Sequence, residues 1–390
     1  MRVRCLVALL MVCAAVPLRA QEVRVGDVAA LREAVRAAQP GTTILIAPGQ
    51  YEGGLWFENI HGQEGKPITL AGADPANPPR FVGKTEAFHF AEASYLTLRD
   101  LSVSGQSGNG INIDDGGTFE TPAHHVVLER LRVSDIGPTG NHDGLKLSGL
   151  DDFLIRDCTV ERWGGSGIDM VGCHRGRIEA CAFKTSDTAG SNAIQNKGGT
   201  SDILIRKNRF DYCGDRAINI GGSTGLQFFR PKVEGFEARA ITVEGNVFVG
   251  SVAAVAFVGV DGAVVRFNTI IRPGKWALRI LQETTAPGFV PCRNGAFTDN
   301  LIVFRSDQWG EGGCNIGPGT APQTFVFARN AWYCEDRPDR SQPTSPTIET
   351  GGVCGIKPLF VNEATGDFAQ QADSPLKAYG YGALPAGEPQ

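Results

Sequence analysis

The chain is short of several things, and each shortage narrows what it can be. It has no excess of positive charge: 37 Lys and Arg stand against 42 Asp and Glu, a formal net charge of −5. A general nucleic-acid binder needs a basic surface against phosphates, so no nucleic-acid partner is expected; a local basic groove is still allowed. After residue 20 no apolar run is long enough to cross a bilayer, so no membrane span is expected. No Cys-x-x-Cys pair occurs, which argues against a zinc site. Methionine is scarce, at 3 residues, whereas glycine is abundant, at 50. That balance suits short strands joined by many tight turns.

The first 20 residues have the layout of a secretory signal. Arg2 and Arg4 form a charged start, Leu6 to Val16 an apolar core, and Leu18-Arg19-Ala20 a cleavage site. The expected location is therefore periplasmic or secreted. Two of the 10 cysteines leave with this leader. Those remaining are Cys158, Cys173, Cys181, Cys213, Cys292, Cys314, Cys334 and Cys354. An even number in an oxidising compartment permits disulfides. Loop positions favour Cys334 with Cys354 and Cys292 with Cys314. Cys158 and Cys181 are read either as stacked inward thiols or as one bridge.

What is present is a phrase that returns nine times, from LTLRDLSV at Leu96 to FVFARNAW at Phe325. Its sixth position is Asn208, Asn246, Asn268, Asn300 and Asn330 in the last five copies. An asparagine recurring at one register suggests a stack of amides, each bonding its neighbour one rung away. A coil of strands follows, because such repeats bury a core only by stacking. Before it, Leu31, Ala34, Val35 and Ala38 share one helical face, which predicts a helix capping the open end. The fold class is all-β: a coil over residues 21–357 with its capping helix, and an irregular tail, 358–390, closing the last turn.

A shorter phrase falls between the long ones: GINI, GLKL, GIDM, AIQN, AINI and ALRI, starting at residues 110, 144, 167, 193, 217 and 277. Apolar residues alternate with polar ones, so one face is buried and one is wet. Aligned by rung, the outward positions are Asn112, Lys146, Asp169, Gln195, Asn219 and later Arg279. Rungs about 4.8 Å apart would set Lys146, Asp169, Gln195 and Asn219 in one column. Lys197 should face the same way. Asp143, Ser166, Asn192 and Arg216 precede the short strand on the same rungs.

This layout resembles the right-handed parallel β-helix proteins of the pectate-lyase-like superfamily, from the opening LREAVRAAQPGTTILIAPGQY to the closing PLF…GDF…SP. That superfamily includes lyases, hydrolases, epimerases and adhesins, so fold alone gives no reaction. The polar wall suggests one. Eliminating across a uronic acid needs its carboxylate neutralised, a base for the C5 proton and a donor for the leaving oxygen. Lysine serves as base when neighbouring cations and burial lower its pKa. Lys197 beside Arg216, with Asn192, Gln195 and Asn219 as amides, fits that list. Lys146, Asp169 and Arg279 would also touch substrate, and His142 or Arg216 would be the acid. Asp143 and Asp169 form a possible Ca2+ pair, or they hold Lys146 or Arg216 in place.

AIQNKGGTSDILIRKNRF is similar to the lysine-bearing rung of the chondroitinase-B and alginate-lyase family. The resemblance implies Lys197 as base and an arginine on the following rung, where Arg216 is nearest. The expected function is thus a polysaccharide lyase on an acidic polysaccharide or oligosaccharide, acting as a monomer. Other readings stay open: a glycoside hydrolase using Asp143 and Asp169, a C5-epimerase, or a carbohydrate-binding or adhesion coil. Trp163, Trp276 and Trp309 are read either as sugar platforms or as packing against the coil.

Overall fold

The long phrase folds as two strands joined by a bend with a repeated backbone solution. Its fifth residue takes a left-handed φ in copy after copy: 56° at Asp100, 50° at Arg130, 55° at Lys207 and 57° at Asp299. That conformation costs a non-glycine residue about 1–2 kcal/mol, so the bend needs support. The sixth residue supplies it. Asn208 Nδ2 donates to Asn246 Oδ1 at 3.0 Å, and the same oxygen accepts the Asn208 backbone N–H at 2.9 Å. The arrangement repeats from Asn246 to Asn268, Asn300 and Asn330. Glu349 ends the stack, accepting from Asn330 N and Nδ2, each at 2.8 Å. At the other end the stack continues as thiols: Cys181 N–H donates to Asn208 Oδ1, and Cys158 N–H to Cys181 Sγ.

The computed structural model describes residues 21–185, 192–377 and 380–382; the expected leader lies outside them. The fold is a right-handed parallel β-helix. The first half of each long phrase builds a 13-stranded sheet, the second half a 12-stranded sheet, and the short phrase a 10-stranded sheet. Strands stack in parallel along all three. Inward residues fill one continuous core from Leu31 to Trp332. Phe183, Phe210 and Phe248, one per rung, stack with centroids 5.0 and 4.8 Å apart.

The capping helix forms at Val28–Ala37, with Leu31 and Val35 buried against the first rung. Asp27 caps it, accepting from Ala30 N–H at 2.8 Å. A strand ahead of it, Glu22–Val25, pairs with Thr43–Ile46. At the far end, Phe360, Phe368, Leu376 and Tyr381 of the tail pack on Ile271, Leu301, Val303 and Tyr333.

The expected disulfides are corrected: all eight described cysteines are free thiols. Cys314 aligns with Leu278 in the short-phrase sheet, whereas Cys292 precedes a strand of the 13-stranded sheet. Cys354 aligns with Trp332, and its thiol faces Gln342, while the Cys334 thiol faces Asp336. Cys158 and Cys181 are stacked thiols, the first of the two readings.

Candidate active site

The rung alignment puts the expected column together. Along the short-phrase sheet the paired residues run Asn112, Lys146, Asp169, Gln195, Asn219, Ala256, Arg279, Asn315. The column also extends the other way, to His89 and Trp56. Those two belong to FHFA and LWFE, earlier copies of the short phrase that the alternation in the sequence already carries.

The middle rungs hold one connected cluster. Lys197 Nζ lies 3.1 Å from Asp169 Oδ2 and donates to Gln195 Oε1 at 3.3 Å. Lys146 Nζ pairs with that same Asp169 oxygen and lies 3.3 Å from Asp143 Oδ2. Asn192 and Ser166 both donate to Gln195 Oε1 at 3.5 Å. Asp143 and Asp169 are 0% exposed, whereas the Lys146 and Lys197 side chains keep 18% and 14%. The carboxylates are therefore the floor of the cluster, and the lysine side chains keep a small exposed share above them. Burial, then the charge of Asp169, pushes the Asp143 carboxyl up to about 6. Burial opposes the charge of Lys146, but Asp169 and Asp143 outweigh it and raise its pKa.

Asp143 does not cap its own turn. Its Oδ1 accepts Ser166 N–H at 2.7 Å, on the next rung. The two carboxylates do not fit a Ca2+ site, since Lys146 already stands against both and calcium wants six or more oxygens. Among the described residues no three His, Cys, Asp or Glu side chains gather as metal ligands.

Arg216 and Asn219 sit one rung beyond. Arg216 Nη1 donates to Asn219 Oδ1 at 3.0 Å, and Nη2 pairs with Glu283 at 2.9 Å. Its carboxylate partner is thus Glu283 and not the Asp143–Asp169 pair. Arg279 follows across Ala256 and donates to Asn315 Oδ1 at 2.9 Å. Burial, then the charge of Arg216, lowers the Arg279 pKa, which marks the two guanidinium groups as electrostatic neighbours. His142 lies in the turn just before Asp143. Its ring packs on its own turn: a Cβ at Gly137 would meet His142 Nδ1 at 2.5 Å.

Two features of this site come from loops. Glu237, fully buried, accepts Gly198 N–H at 2.9 Å, directly after Lys197, and Thr224 N–H at 2.9 Å. It also accepts the Thr284 hydroxyl, next to Glu283. One carboxylate thus ties the Lys197 turn to the segments on either side. Gly221 and Gly222 stand near where the resemblance would place a further arginine. A Cβ at Gly221 would lie 1.8 Å from Val258 O, and one at Gly222 2.6 Å from Gln195 Nε2. Close backbone approach explains that pair.

The three tryptophans named above pack against the coil. Trp163 is 2% and Trp276 7% exposed, and Trp309 stacks on Phe304 at 3.7 Å.

Comparison with known proteins agrees with this architecture. Residues 86–270 match the family model of the right handed beta helix region. No curated protein sequence matches the chain. Among solved structures, an alginate lyase from Paenibacillus sp. str. FPU-7 gives a TM-score of 0.53 at 19% identity, covering 77% of this chain and 99% of that one. Pectate lyase Pel9A gives 0.52 at 14%, covering 90% and 81%. A GH136 lacto-N-biosidase from Eubacterium ramulus gives 0.52 at 13%, covering 85% and 66%. The likeness to pectate-lyase-like β-helices expected from the repeats is borne out. At these identities it is a likeness of fold, and the three proteins are named for different activities.

Proposed function

We propose that this protein is a polysaccharide lyase that cleaves a uronic-acid polymer by β-elimination, with Lys197 as the base. The observation that carries the reading is a partly exposed Lys197 side chain in a polar wall, its ammonium 3.1 Å from a carboxylate that is fully buried. In its neutral form this amine takes the C5 proton, the C4–O bond breaks as the C4=C5 double bond forms, and the leaving oxygen takes its proton from Arg216 or from water. Gln195 and Asp169 aim it; Glu237 fixes the turn that follows. Arg216 and Arg279 offer the cations that a substrate carboxylate needs, while the buried amides of Asn219 and Asn192 hold Arg216 and Gln195 in place. The same burial weighs against hydrolysis: Asp143 and Asp169 have no exposed surface with which to reach a glycosidic oxygen. The names of two neighbours, alginate lyase and pectate lyase, agree with the substrate class. Export through the leader would place the enzyme where such polymers occur.

The test is incubation with alginate, polygalacturonate and chondroitin sulfate. Absorbance from unsaturated ends is expected with at least one. New reducing ends without unsaturation would indicate a hydrolase, and altered C5 stereochemistry without cleavage an epimerase. Either result overturns the lyase.

A further inference from the structure

Four of the five tryptophans are covered by the coil or its loops; Trp56 is not, at 54% exposure. It stands in the same outward column as Lys146, Asp169 and Gln195. Its indole is also unusually well fixed for a surface ring. It rests against the His89 ring, tilted by 36° with centroids 3.7 Å apart. Its Nε1 donates to Glu58 Oε1 at 2.7 Å. His89 in turn is clamped from both sides, by Glu86 at 3.0 Å and Asp114 at 2.7 Å. Burial alone would lower the His89 pKa, but the bonds to Asp114 and Glu86 outweigh it and lift the value to about 9. The ring beneath Trp56 is therefore an imidazolium at neutral pH.

An indole held against a cation at a 36° tilt and more than half exposed is a ready surface for the C–H face of a sugar ring, because little side-chain entropy remains to be lost on contact. Beside it runs a cleft of about 550 Å³, bordered by Arg36, Gln39, Glu58, Asn59 and His61. Five rung steps separate Trp56 from Gln195, roughly 24 Å at the usual strand spacing.

We propose that Trp56 is a saccharide platform at the helix-capped end of the wall, stacking a ring of the same acidic polymer several sugars away from Lys197. The inference rests on the wall being a polysaccharide track, and it adds a direction: the polymer lies along the coil axis. It also adds a length requirement, since a disaccharide at Lys197 cannot reach Trp56.

Binding separates this proposal from the chemistry. Full-length protein carrying Lys197→Ala is titrated calorimetrically with alginate, polygalacturonate and chondroitin sulfate, and with disaccharides of each. Adding Trp56→Ala should weaken binding of the favoured polymer about tenfold, as expected for loss of one aromatic contact. Trp56→Phe should retain most of the affinity, and Phe228→Ala, another exposed aromatic, should change nothing. Bound polymer should shield tryptophan fluorescence from acrylamide, and disaccharide should not. Equal affinity with and without Trp56, or binding to none of the three polymers, overturns the platform. Trp56-dependent binding without unsaturated products from the parent protein would leave the platform standing and sink the lyase.

Discussion

At the scale of single residues, Asp169 is the pivot of the site. One buried oxygen faces both Lys146 and Lys197. Removing Asp169 takes the ion-pair partner from Lys197 and leaves Lys146 with Asp143 alone, at a cost of about 3–5 kcal/mol. Asp169→Ala should therefore lower stability by that order in urea denaturation; an unchanged midpoint would contradict the ion cluster. His89 gives a pH signature. Its folded pKa of about 9 lies above the ordinary histidine value of about 6.5. Stability from its clamp is thus fully present below about pH 6.5 and is lost as pH rises through 9. Thermal melts should show Tm falling across that window, and falling less in His89→Gln. Lys146, Asp169, Gln195 and Asn219 were legible in the sequence because strand alternation and rung register leave one answer. Glu237 and Glu283 were not. They reach the site from segments outside the repeat, where no period says which rung a residue will face.

At the scale of elements, the asparagine stack and the left-handed bends hold each other. Asn268 Oδ1 accepts both the backbone N–H and the side-chain N–H of Asn246. Asn268→Ala would leave both donors buried and unpaired, at about 1–3 kcal/mol each. Chemical denaturation should show a loss of that size; a loss near zero would mean that the bend is set by backbone packing alone. This stack was readable from five asparagines at one position. Its continuation as thiols was not decided, because a cysteine column reads equally well as a bridge. Here the geometry resolves it: the Cys181 sulfur accepts the N–H of Cys158. Disulfides proposed from loop position failed for a related reason. Closeness in sequence does not bring two thiols to one rung, and Cys292 and Cys314 belong to different faces of the coil.

At the scale of the whole molecule, the coil acts as a ruler. It converts sequence spacing into position along one axis and so places Lys197, an arginine pair and an exposed indole on a single sheet. The fold was almost wholly legible, since a repeat that must stack has few alternatives. The reaction was less so, because the same wall suits several treatments of an acidic sugar. The earliest rungs, LWFE and FHFA, carried the alternation that marks the polar column, and with it Trp56 and His89. His142 lies in a turn, and its ring packs on Gly137 of that turn. The central claim is that Lys197 removes the proton. The most direct measurement is the initial rate of unsaturated-product formation on the best of the three polymers, for the parent protein and for a folded Lys197→Ala. The account predicts a fall of at least about 10²-fold, the usual contribution of a positioned base. An undiminished rate in that variant would contradict it.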